Sequence, residues 1–288
     1  MEINCIQTNV LTEEQIQKIR ELETICQEHE GLKRPVFLSG ELNLDPRADC
    51  FYLSYEGDRL IAFLSLFMIL EGEAEISAYT LPEFRQRGAF TLLFQKAAQT
   101  LAKQGIHRVL FVHEPRGADA KRVLETLAAV PSHSEYLLAF DRARFRRPAG
   151  TLRLETPCEA DIPRLAALDS ELFGDSPEES ASILKKALEH PTMNVYSAFL
   201  GNEPIGLCNV STENGNSSIF GLGIVPKYQG KGYGRETLSL LLERLMRRDG
   251  KITLEVASTN RAACRLYITS GFDTETQYDY DLLTLPLK

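Results

Sequence analysis

The chain has 288 residues, 43% of them hydrophobic and 25% charged, with a formal net charge of −8. That length holds one large domain or two of common size, and the acidic balance argues against a nucleic-acid-binding surface. Acidity keeps a chain soluble and also suits a cationic substrate, so on its own it selects no ligand.

Cys5, Cys26, Cys50, Cys158, Cys208 and Cys264 are scattered without a C-x-x-C pair, and the histidines show no metal-ligand spacing. Reduced thiols in a cytoplasmic protein without a metal are expected. The start, MEINCIQTNVLTEEQ, has neither the basic opening nor the apolar centre of a signal peptide. The apolar run LIAFLSLFMIL at 60–70 is too short to span a bilayer and reads as a buried strand. No membrane partner is expected.

In chain order, a helical pattern covers 12–28, and CFYLSYEGDRLIAFLSL (50–66) reads as a hairpin around a glycine turn. A strand follows near 73–80, then a loop and amphipathic helix at 88–104, a short strand at 109–112, another helix and a last strand. The arginine-rich DRARFRRPAG (141–150) fits either a site for an anion or a solvated linker, and Pro148 and Gly150 mark a boundary. The same order then returns: helices at 159–172 and 177–189, a hairpin at 194–210, a tight turn at Asn214-Gly215, a strand at 216–225, a helix at 232–248 and a strand at 252–256. Gly57 and Gly201, Ile61 and Ile205, Pro82 and Pro226, Gly88 and Gly232, and Leu110 and Leu254 all share one offset, 144 residues. The chain therefore reads as two diverged copies of one α/β domain, 1–147 and 148–288, each a mixed, mostly antiparallel sheet flanked by helices.

VPKYQGKGYGRE (225–236) places glycines between a hydrophobic strand and a helix. Such a turn offers unpaired backbone N–H groups and the positive end of a helix dipole, which suit a phosphate. It is no nucleotide P-loop, because Lys231 is followed by Gly232 rather than Ser or Thr. Downstream, LEVASTNRAACRLYITSGF (254–272) is a buried strand, then a helix with capping candidates at its start and Gly271 at its end. Asn260, Ala263 and Tyr267 fall on one face of that helix.

Taken together, these two segments resemble the GNAT superfamily, the GCN5-related acetyltransferases. The first carries the family's loop pattern in Gln229, Gly232 and Gly234. The second carries its strand-to-helix pattern in Asn260, Ala263, Leu266, Tyr267, Gly271 and Phe272. The resemblance covers the second half directly and the first half through the repeat.

That resemblance implies direct acetyl transfer from acetyl-CoA to an amine acceptor. Leu222, Gly223 and Ile224 would contact the acetyl and pantetheine arm, their amides stabilising the oxyanion. The backbone of Gly230, Lys231, Gly232, Tyr233, Gly234 and Arg235 would hold the pyrophosphate, after Gln229. Asn260 would bind the cofactor arm. Tyr267 would protonate the leaving thiolate, or else it is a core aromatic of an amphipathic helix. Glu255 matches the general base of the ribosomal-protein acetyltransferase branch; the alternative places it on the solvent face, with water taking the proton. An acyl-CoA-binding protein without turnover, or O-acyl transfer, is the rival reading. The acceptor's identity and the choice between monomer and homodimer stay open.

The first half departs from the pattern. EFRQRGAF keeps Arg85 and Gly88 but puts Phe90 at the third small position, Phe111 stands where the second half has Glu255, and residues 113–131 contain neither Asn nor Tyr. This half is expected to be a degenerate copy that supports the active one or retains weak CoA binding. His113 and Glu114 fit either substrate contact or a satisfied surface role.

Overall fold

The computed structural model describes residues 3–147, 150–213 and 215–285. Pro148 and Asn214, read above as boundary and turn signals, lie outside them. The described residues up to Glu135, with those from Thr276 onward, form one compact unit, and Tyr136–Glu275 form a second. The units thus follow the two sequence halves except that 136–147 belong to the second and the end of the chain to the first.

In the first unit, β1 (Ile3–Thr8) leads to α1 (Glu13–Glu30). Thr12 and Gln15 form a reciprocal capping box at its start and Gly31 ends it in the left-handed conformation. After a long irregular segment come β2 (Phe51–Glu56), β3 (Arg59–Leu70) and β4 (Glu73–Thr80). Next are α2 (Ala89–Lys103), β5 (Arg108–His113), α3 (Ala118–Leu127) and β6 (Val130–Phe140), whose last residues lie in the second unit. β1 to β4 form an antiparallel meander, and β4 joins β5 in parallel from Glu73↔Arg108 to Ile76↔Phe111. Ile19, Leu22 and Cys26 of α1 and Leu93, Ala97 and Leu101 of α2 repeat at helical spacing and pack on this sheet. As expected of the 60–70 run, β3 is buried from Leu60 to Leu66.

The second unit repeats the plan with β7 (Leu152–Glu155), α4 (Ile162–Phe173) and α5 (Pro177–Glu189). It continues with β8 (Met193–Leu200), β9 (Glu203–Glu213), β10 (Asn216–Ile224), α6 (Tyr233–Leu245), β11 (Ile252–Ala257) and α7 (Arg261–Thr269). Ser176 and Glu179 box the start of α5, with Pro177 at its first position. Leu238, Leu241, Leu242 and Leu245 of α6 enter this unit's own core. Of the arginines in 141–147, Arg142 and Arg144 bond to protein groups of this unit, whereas Arg146 and Arg147 are exposed. Arg142 donates to the carbonyls of Met246 (3.2 Å), Arg248 (2.6 Å) and Gly250 (2.6 Å), satisfying chain that leaves α6. Arg144 bonds the Gly271 carbonyl at 3.0 Å and the Asp273 carboxylate at 2.5 Å.

β12 (Phe272–Thr284) starts in the second unit and finishes in the first, where Asp279–Thr284 run antiparallel to β5. There Tyr278 and Tyr280 are almost fully buried, and Arg34 stacks 5.1 Å over the Tyr278 ring. Replacing Tyr278 by Ala removes a large core side chain and is expected to cost about 3–5 kcal/mol. Hydrogen exchange should then accelerate first in β5; faster exchange confined to α6 and β11 would contradict this assignment.

Candidate active site

The turn before α6 is set by backbone conformation. Gly230 and Gly232 have φ of +73° and +87°, and a Cβ at either would meet no atom within 4 Å, so glycine is needed for the angle and not for space. Gly232 is the N-cap and no side chain caps this helix, leaving the first-turn N–H groups of Tyr233, Gly234 and Arg235 for a ligand. Gln229 fastens the turn to the end of β10 by donating Nε2 to the Ile224 carbonyl at 2.7 Å. Lys231 donates to the Lys227 carbonyl at 3.0 Å and lies over the Tyr228 ring, which Tyr233 meets edge-on at 6.1 Å. Arg235 reaches the Thr269 hydroxyl at 2.9 Å, linking α6 to α7. A Cβ on Gly234 would lie 3.6 Å from Leu266 and 3.8 Å from Ile224, so turn, strand end and α7 converge here.

The strand wall carries a feature that motif reading missed. β10 pairs in parallel with β11 only from Ser217↔Ile252 to Ile219↔Leu254. Against β9 its register shifts between Phe220 and Gly223, and Gly221 stands at φ +57°. This is a β-bulge, which bends the strand away from its neighbour and leaves Gly221 and Leu222 without partners in the register. Glycines make it fit. A Cβ at Gly221 would sit 2.7 Å from the Asn209 amide, one at Gly206 2.5 Å from the Gly223 carbonyl, and one at Gly223 3.1 Å from Leu172 of α4. The available signal was that Gly206, Gly221 and Gly223 correspond, at the 144-residue offset, to Ala62, Ser77 and Tyr79.

On the opposite wall, Asn260 caps α7, its Oδ1 accepting from the Ala263 N–H at 3.1 Å. Its Nδ2 side is the part of the amide that this cap does not use. Tyr267 is buried on α7, edge-on to Phe272 at 5.9 Å. Burial pushes its pKa up to about 12, with the Cys208 and Cys264 thiols adding to the shift. Glu255 lies between buried Leu254 and Val256 but is itself exposed. Alternation along β11 thus puts it on the face opposite those two side chains.

In the first unit the corresponding turn keeps its shape, with Gln86 at φ +60° and Gly88 at +84°. Arg85 copies Gln229 by donating Nε to the Thr80 carbonyl at 3.1 Å. β4, however, runs against β3 without a shift from Ala62↔Thr80 to Phe67↔Glu75, so the bulge is absent there. His113 pairs with Asp281 at 2.6 Å. Glu114 is buried, accepting from the Lys33 and Arg34 N–H groups and from Thr276. Among the described residues no cluster of His, Cys, Asp and Glu is arranged to hold a metal, and no helix is long and apolar enough to cross a membrane.

A strand leading into a glycine turn, with a capped helix opposite, is the arrangement expected above of a GNAT-like domain, to which the structure adds the bulge. Residues 16–128 and 162–272 each match the Acetyltransferase (GNAT) family, and the chain belongs to that family as a tandem member. It is 35% identical over 118 residues to the N-alpha-acetyltransferase RimI of Mycobacterium tuberculosis, covering 39% of this chain and 73% of that protein. It is 30% identical over 128 residues to the mycothiol acetyltransferase of Kineococcus radiotolerans, a match that spans 41% of this chain and 42% of that protein. Two solved structures share its fold. A GCN5-related N-acetyltransferase from Sphaerobacter thermophilus superposes with a TM-score of 0.77 at 18% identity, covering 97% of this chain and 95% of the other. A tandem GNAT protein from the clavulanic acid biosynthesis pathway gives 0.74 at 16%, covering 98% of each.

The capping bond makes one prediction at this site. Asn260→Ala is expected to destabilise the chain by about 1 kcal/mol, whereas Asn260→Ser, which can still cap, stays within a few tenths of the parent. Denaturant melts that rank the two variants equally would contradict the capping role.

Proposed function

We propose that the second unit transfers an acetyl group from acetyl-CoA to an amine. The observation that carries this reading is the parting of β10 from β11 after Ile219, beside the bulge at Gly221 and Leu222 and between an uncapped glycine turn and a buried tyrosine. The residues fit the co-substrate: the left-handed glycines expose backbone donors where a diphosphate would lie, and the parting strands leave backbone groups for an extended arm.

Acetyl-CoA supplies a thioester-activated acetyl group when bound. The first-turn amides of α6, with the turn from Gly230 onward, hold the diphosphate, and Gln229 keeps that turn against β10. Leu222, which has no partner in the register with β9, would present its N–H to the acetyl carbonyl oxygen, and Gly223 and Ile224 would continue the wall along the arm. A fixed donor at that oxygen is worth about 3–4 kcal/mol in the transition state. Asn260 directs its Nδ2 to the arm. The amine gives up its proton to Glu255 or to water, and Tyr267 protonates the departing thiolate. The first unit lacks the bulge and the acid, and in this reading it performs no transfer. RimI is named as an N-alpha-acetyltransferase, which makes free α-amines the first acceptors to test beside polyamines and aminoglycosides.

With its pKa raised, Tyr267 keeps its proton through neutral and mildly alkaline solution. As a general acid it is lost only as pH rises toward about 12. Acetyl transfer should therefore rise with pH as the amine deprotonates, without a falling limb below about pH 10. Tyr267→Phe should lower kcat at least ~10²-fold while the KM for acetyl-CoA stays within a few-fold, read by thiol release over an amine panel. A variant within twofold of the parent would contradict the acid role, and acetyl-CoA binding without thiol release from any amine would favour a binding protein.

A further inference from the structure

The first unit contains a cavity of about 500 Å3 between β4, β5, α2 and α3. Its walls follow from the repeat. Where the second unit has Tyr267, Glu255 and Gly234, the 144-residue offset places Val123, Phe111 and Phe90, and all three line this cavity. Phe90 stacks on Phe94 at 5.9 Å with the rings 5° apart, and Phe94 in turn meets Phe111 at 5.6 Å. Each polar or absent side chain that serves transfer in one copy is thus replaced by an apolar one in the other.

The charged groups around the cavity are committed to one another. Arg85 bridges Asp119 at 2.7 Å and Glu30 at 3.1 Å, tying the turn to α3 and to the end of α1. Buried Glu114 takes two backbone N–H groups and the Thr276 hydroxyl, His113 faces Asp281, and Arg34 donates to Ser77 at 2.6 Å while stacking on Tyr278. A diphosphate at the Gly88 turn would meet the Asp119 and Glu30 carboxylates on the same guanidinium that it needs. What remains for a ligand is the apolar wall.

The geometry points to a second binding site, distinct from the transfer site, in which the first unit takes an uncharged apolar molecule about the size of a medium acyl chain and carrying no nucleotide. This goes beyond the transfer reading and does not depend on it. The test is a fluorescence titration of the full chain with N-phenyl-1-naphthylamine, with 1-decanol as competitor. We expect saturation near one equivalent, displacement by 1-decanol, and a Kd within twofold of its starting value in saturating acetyl-CoA. Ala120→Phe, which fills the cavity from α3, should weaken binding at least tenfold while circular dichroism and thermal melting stay native. Should that variant misfold, Val123→Trp fills the same space from the same helix. Absence of saturable binding, binding indifferent to the filling substitution, or stoichiometric displacement by acetyl-CoA would each overturn the assignment.

Discussion

β10 and β11 lie side by side in parallel for three residue pairs and then part. Parallel strands buried between helices ordinarily pair along their length, because a backbone donor removed from water without a partner costs free energy. The bulge at Gly221 follows directly on the last of those pairs, and Gly206 and Gly223 permit it by letting β9 and α4 approach where a Cβ would collide. In the proposed function, the edge of β10 beyond Ile219 is where an extended substrate arm would complete the sheet. The glycine turn at one end and α7 at the other would then supply charge and a proton.

The first unit shows the same plan without the bulge, its β4 likewise leaving β5 after four residue pairs. Its turn keeps the left-handed angles even with Gln86 in place of glycine, a conformation that disfavours a side chain. Ala62, Ser77 and Tyr79 stand where the glycines would be, and β4 stays in register with β3. Tyr79 instead donates its hydroxyl to the Arg34 carbonyl at 3.0 Å, and its phenol is pushed well above its ordinary pKa by burial. Turn and bulge are therefore separable: one copy has both, the other only the turn. The irregular segment after α1 differs as well, since residues 33–45 form no helix where α5 stands in the second unit. At the 144-residue offset the first copy has Leu32 and Lys33 in place of Ser176 and Pro177, and Pro35 in place of the capping Glu179.

Most of the elements and the repeat were legible, because helical and strand periodicities are local and one offset aligned their landmarks. The glycine turn and the cap at Asn260 were legible for the same reason. Three things were not. The bulge depends on glycines in two strands meeting across a ladder, a relation that no single window contains. The side of β11 that Glu255 occupies depends on pleat phase, and an exposed residue between Leu254 and Val256 reads alike in either phase until the neighbouring strands are placed. The return of β12 to the first unit was hidden because alternation tells which face is buried and not which strand is the partner. The role of Arg142 was hidden for a related reason, since the carbonyls it caps lie more than 100 residues away in sequence.

The central claim is that one unit of the two holds acetyl-CoA, at the turn before α6. Calorimetric titration of the full chain with acetyl-CoA, beside Gly232→Glu, addresses it most directly. A glutamate there would force a side chain into a left-handed angle and bring a negative charge to the diphosphate site. The account predicts one site per chain in the parent and none in the variant. Two sites in the parent, or a single site untouched by the substitution, would contradict it.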